Sequence, residues 1–95
     1  MTRPNYLHQR ILRESKAVRA FENHAAKLEY ELSVGVAPLE QMRLRVELLE
    51  GYVEQTGGNL LTERFRVTLA DLKKRVVLRG LERARRHVTA LVRSV

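Results

Sequence analysis

The chain has three histidines, His8, His24 and His87, and no cysteine. A metal-binding helix needs two ligands on one face, and none of these histidines stands with a second His or a carboxylate at such a spacing. His24 has Glu22 and Lys27 nearby, ordinary company on a helix surface, so all three read as structural or solvated. The lack of Cys removes thiolate zinc sites, cysteine nucleophiles and disulfides together. Ser15, Ser33 and Ser94 lie in no nucleophile motif. Glu29 and Glu31 are two residues apart, which on a helix sends them to different faces, so they cannot share a proton as an acid–base dyad would. Gly57-Gly58 lacks the Gly-x-x-x-x-Gly-Lys pattern of a phosphate loop and reads as a helix break. A catalytic role, a metal, a cofactor and a small-molecule substrate all go unsupported.

Charge carries more information. Residues 1–59 hold eight Lys/Arg balanced by eight Glu, while residues 60–95 hold ten Lys/Arg against Glu63, Asp71 and Glu82, so the whole net charge of +7 lies in the last part of the chain. Arg64, Arg75, Arg79, Arg83, Arg86 and Arg93 fall within about 100° on a helix that stays continuous through Gly80. Lys73, Lys74 and Arg85 add charge on the flanks. Arginine suits phosphate because its planar guanidinium can donate two parallel hydrogen bonds. Asp71–Arg75 and Glu82–Arg86 are i,i+4 pairs worth about 0.3–0.5 kcal/mol each. Arg79, Arg83 and Arg93 have no such partner on their own helix. Three readings of this stripe stand side by side: a solvated face opposite a core, a nucleic-acid surface, and a surface for an acidic protein.

The elements that position the stripe follow from apolar spacing. Ile11, Val18, Phe21, Ala25, Leu28 and Leu32 form a heptad seam, which predicts a first helix over 5–34, capped by Asn5. Gly35 supplies a left-handed residue to end it, with Val36 making the accompanying contact and Pro38 preventing continuation. Leu39, Met42, Val46, Leu49 and Val53 form a second seam, which predicts a helix over 38–56. The short connection forces the two antiparallel. Asn59 caps the C-terminal helical segment. Over 60–95 the apolar residues split into two faces rotated by about 130°: Leu61, Phe65, Leu69, Leu72 and Val76, then Val77, Leu81, Ala84, Val88, Leu91, Val92 and Val95. Either one long helix meets two neighbours or the chain bends near Gly80, and the ~1 kcal/mol cost of a mid-helix glycine leans towards the bend. The expected fold is a single all-α domain, a helical hairpin plus one long or two shorter basic helices in a three- or four-helix bundle.

Two short stretches carry family resemblances. Thr68-Leu69-Ala70-Asp71-Leu72-Lys73-Lys74-Arg75-Val76 resembles the first helix of a bacterial helix-turn-helix, and Leu81-Glu82-Arg83-Ala84-Arg85-Arg86 is similar to a recognition helix. Lys73 stands where that family has a small residue, Val77 where a glycine opens the turn, and the family's turn is about three residues longer. The resemblance implies that Arg83, Arg85 and Arg86 approach base edges in a major groove. Leu28-Glu29-Tyr30-Glu31-Leu32-Ser33-Val34-Gly35-Val36-Ala37-Pro38 resembles the turn of small co-chaperones of type III secretion needle proteins, helical hairpins that pack against a helical-repeat partner. That family ends near where the basic part begins here.

The expected function is therefore a non-enzymatic binding module whose basic C-terminal helices engage a polyanion, nucleic acid first. The alternative is a protein-interaction adaptor, small chaperone or inhibitor that packs its hairpin against a partner, and the heptad seams could also serve self-association. No apolar run approaches the ~18–20 residues of a membrane span or forms a signal-peptide core, so a cytoplasmic protein without membrane contact is expected.

Overall fold

The structure, a computed structural model, describes residues 3–35 and 37–93, with side chains described from Gln9 on. Three helices make up nearly all of it: α1 (Arg3–Val34), α2 (Leu39–Glu54) and α3 (Leu60–Arg93), with no strand among the described residues. Because α1 begins at Arg3, Asn5 lies inside its first turn and is not its cap. Gly35 ends α1 in the left-handed region at φ 73°, where a Cβ would be strained, and its N–H reaches back to the Glu31 carbonyl at 2.9 Å. The contact expected of Val36 lies outside the described residues. Pro38 stands just before α2 with extended ψ of 141°, one residue earlier than a helical position.

The second turn is closed by side chains. Thr56 folds its hydroxyl back onto the Val53 carbonyl at 2.8 Å, which stops α2 two residues short of the expected end. Asn59 Oδ1 accepts from the Thr62 N–H at 3.1 Å, and Thr62 Oγ1 accepts from the Asn59 N–H at 3.1 Å. This is the reciprocal arrangement of a capping box, with Thr62 in the position usually held by Glu or Gln. The Thr56 and Thr62 hydroxyls, both buried, meet at 2.7 Å.

Contacts fix the directions. Glu31 reaches Gln41 and Arg45, whereas His24 reaches Arg45 and Tyr52, so α2 runs back along α1. Phe21 stacks on Phe65 at 4.0 Å, and Glu29 meets Arg75, so α3 runs parallel to α1. The core is one cluster drawn from all three helices, with Phe21, Leu28, Met42, Leu49 and Leu72 buried almost completely. It takes up both predicted seams from Phe21 to Leu32 and from Met42 to Val53. Ile11, at the start of the first seam, stays exposed.

Helix lengths do not match, and that sets the shape. At ~1.5 Å per residue α2 spans about 24 Å, while α1 and α3 span about 48 and 51 Å. The long axis of the molecule is 75 Å. The start of α1 overhangs one end of the bundle and the end of α3 overhangs the other.

No bend or fourth helix occurs near Gly80, because α3 is continuous from Leu60 to Arg93. Gly80 marks the place where α3 passes the start of α2: a Cβ there would sit 3.2 Å from Leu39 Cδ2. The glycine allows close approach without interrupting the helix. Continuity also removes the turn that the helix-turn-helix resemblance requires between Val76 and Leu81, so that arrangement does not form. Val76 is the last buried residue of α3, and the second apolar face, from Val77 to Val92, points to solvent.

Where the core stops can be measured. Leu72→Ala is expected to cost about 2–5 kcal/mol in urea unfolding. Leu81→Ala, on the same helix but past the core, is expected to stay within about 0.5 kcal/mol of the parent.

Candidate polyanion-binding site

The position of α3 decides what each basic residue can do. At ~100° per residue, Arg79 and Arg83 fall in the same arc as Phe65, Leu69, Leu72 and Val76. The arginine stripe thus continues the core-facing stripe beyond the end of the bundle, and does not lie opposite it. Where apolar neighbours run out, guanidinium groups take over and meet backbone carbonyls at the turn between α1 and α2. Arg79 donates to the Leu32 carbonyl at 2.5 Å, and Arg83 donates to the Ala37 carbonyl at 2.7 Å. The last carbonyls of a helix have no partner within it and carry its negative dipole end, so a cation placed there is favoured twice. Arg79 also fills the space beside Gly35, where a Cβ would stand 3.2 Å from its Nη1.

Two more of the nine basic positions are tied to acids. Arg75 pairs with Glu29 at 3.5 Å and with Asp71 at 3.6 Å, and Lys73 pairs with Glu50 at 3.5 Å. Arg64, Lys74, Arg85, Arg86 and Arg93 make no ion pair with the described residues, and the expected Glu82–Arg86 pair is not formed. Arg64 lies some 31 Å along the helix from Arg85, so it joins no cluster. Arg85, Arg86 and Arg93 occupy about 12 Å of helix beyond the bundle. Arg86 and Arg93, with Thr89 and Ala90 between them, share one open face of the projecting helix. The nine residues thus divide into four that contact acids or carbonyls of the bundle and five that do not, three of which share the projecting end.

A second polar cluster escaped the sequence reading. Glu31 is buried between α1 and α2 and receives hydrogen bonds from Gln41 Nε2 at 3.0 Å and from Arg45 Nε. Arg45 Nη1 lies 3.3 Å from His24 Nδ1, and the His24 ring stacks on Tyr52 at 5.6 Å. An arginine can only donate, so Nδ1 must accept, and the His24 proton sits on Nε2. Burial, then Arg45, then Lys27 lower the His24 pKa from 6.5. Only the partners of Glu31 on another helix give this cluster away, and local spacing does not contain them.

Among the described residues no group of three or more His, Cys, Asp or Glu could hold a metal ion, and no helix is long and apolar enough to cross a membrane. No family model matches the chain, and neither does any curated protein or solved structure.

Arg79→Ala and Arg83→Ala are each expected to lower stability by about 1.5–3 kcal/mol, the worth of a hydrogen bond from a charged donor. Arg86→Ala is expected to leave it within about 0.5 kcal/mol. For His24 the sign follows from linkage. Above its unfolded value of 6.5 the ring is neutral in both states and stability is complete. As pH falls below 6.5 the unfolded chain takes the proton first, so stability declines until pH passes the lowered folded value. Urea midpoints between pH 8 and 5 are expected to show this decline in the parent and lose it in His24→Gln.

Proposed function

We propose that the chain is a non-enzymatic binding module whose projecting α3 end engages a polyanion, nucleic acid being the ligand favoured. The observation that carries this reading is the combination of position and sign. After Glu82 the sequence has Arg83, Arg85, Arg86 and Arg93 and no acidic residue. Arg85, Arg86 and Arg93 form no ion pair with a carboxylate of α1 or α2 among the described residues. Cations left in water without counter-charge attract a polyanion from a distance and release its condensed counterions on contact.

The chemistry narrows the ligand further. Bidentate guanidinium groups match phosphate oxygens. A helix is admitted by the ~12 Å major groove of duplex DNA, and the projecting end is a bare helix. No Phe, Tyr or Trp follows Phe65, which is buried, so the large aromatic platforms usual for stacking on single-stranded bases are missing from the basic part of the sequence. The bundle beneath serves as a rigid mount. The adaptor reading needs an uncovered seam on α1: α3 itself occupies that seam from Phe21 to Leu32, and Ile11 at its start stays exposed.

Anisotropy titration of a labelled DNA duplex at several salt concentrations tests the proposal. Three phosphate contacts give a log–log slope of about −3, and Arg85→Ala, Arg86→Ala and Arg93→Ala combined are expected to remove most of it. Lys73→Ala, whose charge is already paired with Glu50, is expected to change binding little. Absence of binding at ~50 mM salt, where this term is strongest, would overturn the reading.

A further inference from the structure

Residues 1–59 are neutral as a block, yet their charges are unevenly spread around α1. Lys16, Arg19, Asn23, Lys27 and Tyr30 follow at steps of three, four, four and three. At ~100° per residue that spacing confines them to an arc of about 80°. All five are exposed. The arc is centred about 150° from the buried Ala17, Phe21, Leu28 and Leu32. α1 meets α2 through His24 and Glu31 and meets α3 through Phe21 and Glu29, so neither helix covers this face.

α1 has four acidic residues, and three of them are engaged elsewhere. Glu14 pairs with Arg10 at 3.3 Å, Glu29 pairs with Arg75 at 3.5 Å, and buried Glu31 holds Gln41 and Arg45. Glu22 forms no ion pair among the described residues, and neither do Lys16, Arg19 and Lys27. A solvated helix face ordinarily mixes both signs, because opposite charges one turn apart support the helix. Arg13, Lys16 and Arg19, spaced three apart, instead repel one another. Tyr30 fits a plain solvated face no better. It is 69% exposed and stacks on no other ring among the described residues.

We infer that this face of α1 binds single-stranded nucleic acid, with a base stacked on Tyr30 and phosphates on Lys16, Arg19 and Lys27. Single strands are held by cations that follow the backbone and by aromatic rings on which unpaired bases stack. α3 has no such ring beyond Phe65, and α1 supplies one. A duplex keeps its bases stacked inside, so Tyr30 selects for a strand whose bases are free. Lys16 to Tyr30 spans about 21 Å, room for several nucleotides. Around Tyr30 lie Ala26 and Lys27 of α1 and Gln41 and Arg45 of α2. Glu31 holds Gln41 and Arg45 by hydrogen bonds, which sets polar groups beside the ring for the edge of a stacked base. The surface is separate from Arg85, Arg86 and Arg93 and does not rest on the duplex reading.

Anisotropy of labelled oligo-dT of ~15 nucleotides, set against an abasic strand of equal length and charge, tests the inference. The full-length parent is expected to bind oligo-dT at least ~5-fold more tightly than the abasic strand, the least that one stacked base contributes. Tyr30→Leu is expected to remove that preference and leave binding of the abasic strand unchanged. Lys16→Gln, Arg19→Gln and Lys27→Gln combined are expected to flatten the log–log salt slope by about 2 on both strands. Arg85→Ala, Arg86→Ala and Arg93→Ala combined are expected to keep the preference for bases, so loss of duplex binding and loss of this site are separate results. All of these positions are exposed, and helical circular dichroism confirms that each variant is folded. A parent without base preference, or a Tyr30→Leu variant that keeps it, overturns the inference. Binding that depends on the three cations and ignores Tyr30 marks a generic polyanion surface and overturns it as well.

Discussion

Two arginines at the mouth of a turn hold the architecture together. Arg79 and Arg83 place guanidinium groups on the Leu32 and Ala37 carbonyls, at the point where the core of the bundle has ended. They act beside the close approach of Gly80 to Leu39, beyond Val76, the last buried residue of α3. With them its course past the turn is fixed for two more turns, and the rest of the helix extends from that anchor. Each bond joins a charged donor to a carbonyl at or just beyond the negative end of a helix, one of the few surface settings where an arginine contributes well over the ~1 kcal/mol of an ordinary hydrogen bond.

This anchoring links the fold to the proposed activity. A basic stripe on a helix is usually a solvated face and needs no further explanation. Here its members are sorted by geometry. Lys73 and Arg75 tie α3 to α2 and α1, Arg79 and Arg83 hold the turn, and Arg85, Arg86 and Arg93 form no ion pair among the described residues. The same residue type braces the bundle on one stretch and, in the proposed function, meets the ligand on the next. Charge count alone overstates the ligand-facing set, because the four anchored residues are already engaged.

Much of the scaffold was legible in the sequence for a physical reason: heptad seams and helix-ending residues act locally. The Phe21–Leu32 and Met42–Val53 seams, Gly35 as the end of α1 and Asn59 as the cap of α3 all follow from spacing and backbone preference. What spacing could not reveal depends on contacts distant in sequence. The glycine at position 80 suggests a bend when read by helix propensity. In the folded chain it answers a different demand, the passage of α3 over Leu39. Arg79 and Arg83 look unpartnered along their own helix, since their partners are carbonyls more than forty residues earlier. The Glu31–Arg45–His24 cluster is invisible for the same reason. Of the nine basic positions singled out by charge, only the last three cluster as an open surface, a division set by where the hairpin ends.

The central claim is that α3 is one straight helix through Gly80. The chain has no cysteine, so spin labels can be placed at will. Thr68→Cys with Thr89→Cys puts labels at two exposed positions on either side of Gly80, 21 residues apart. Pulsed electron–electron distance measurement is expected to give one narrow distribution near 31 Å, the rise of a continuous helix. A broad distribution, or a dominant distance well below 25 Å, would contradict the account by showing that the chain bends where this structure keeps it straight.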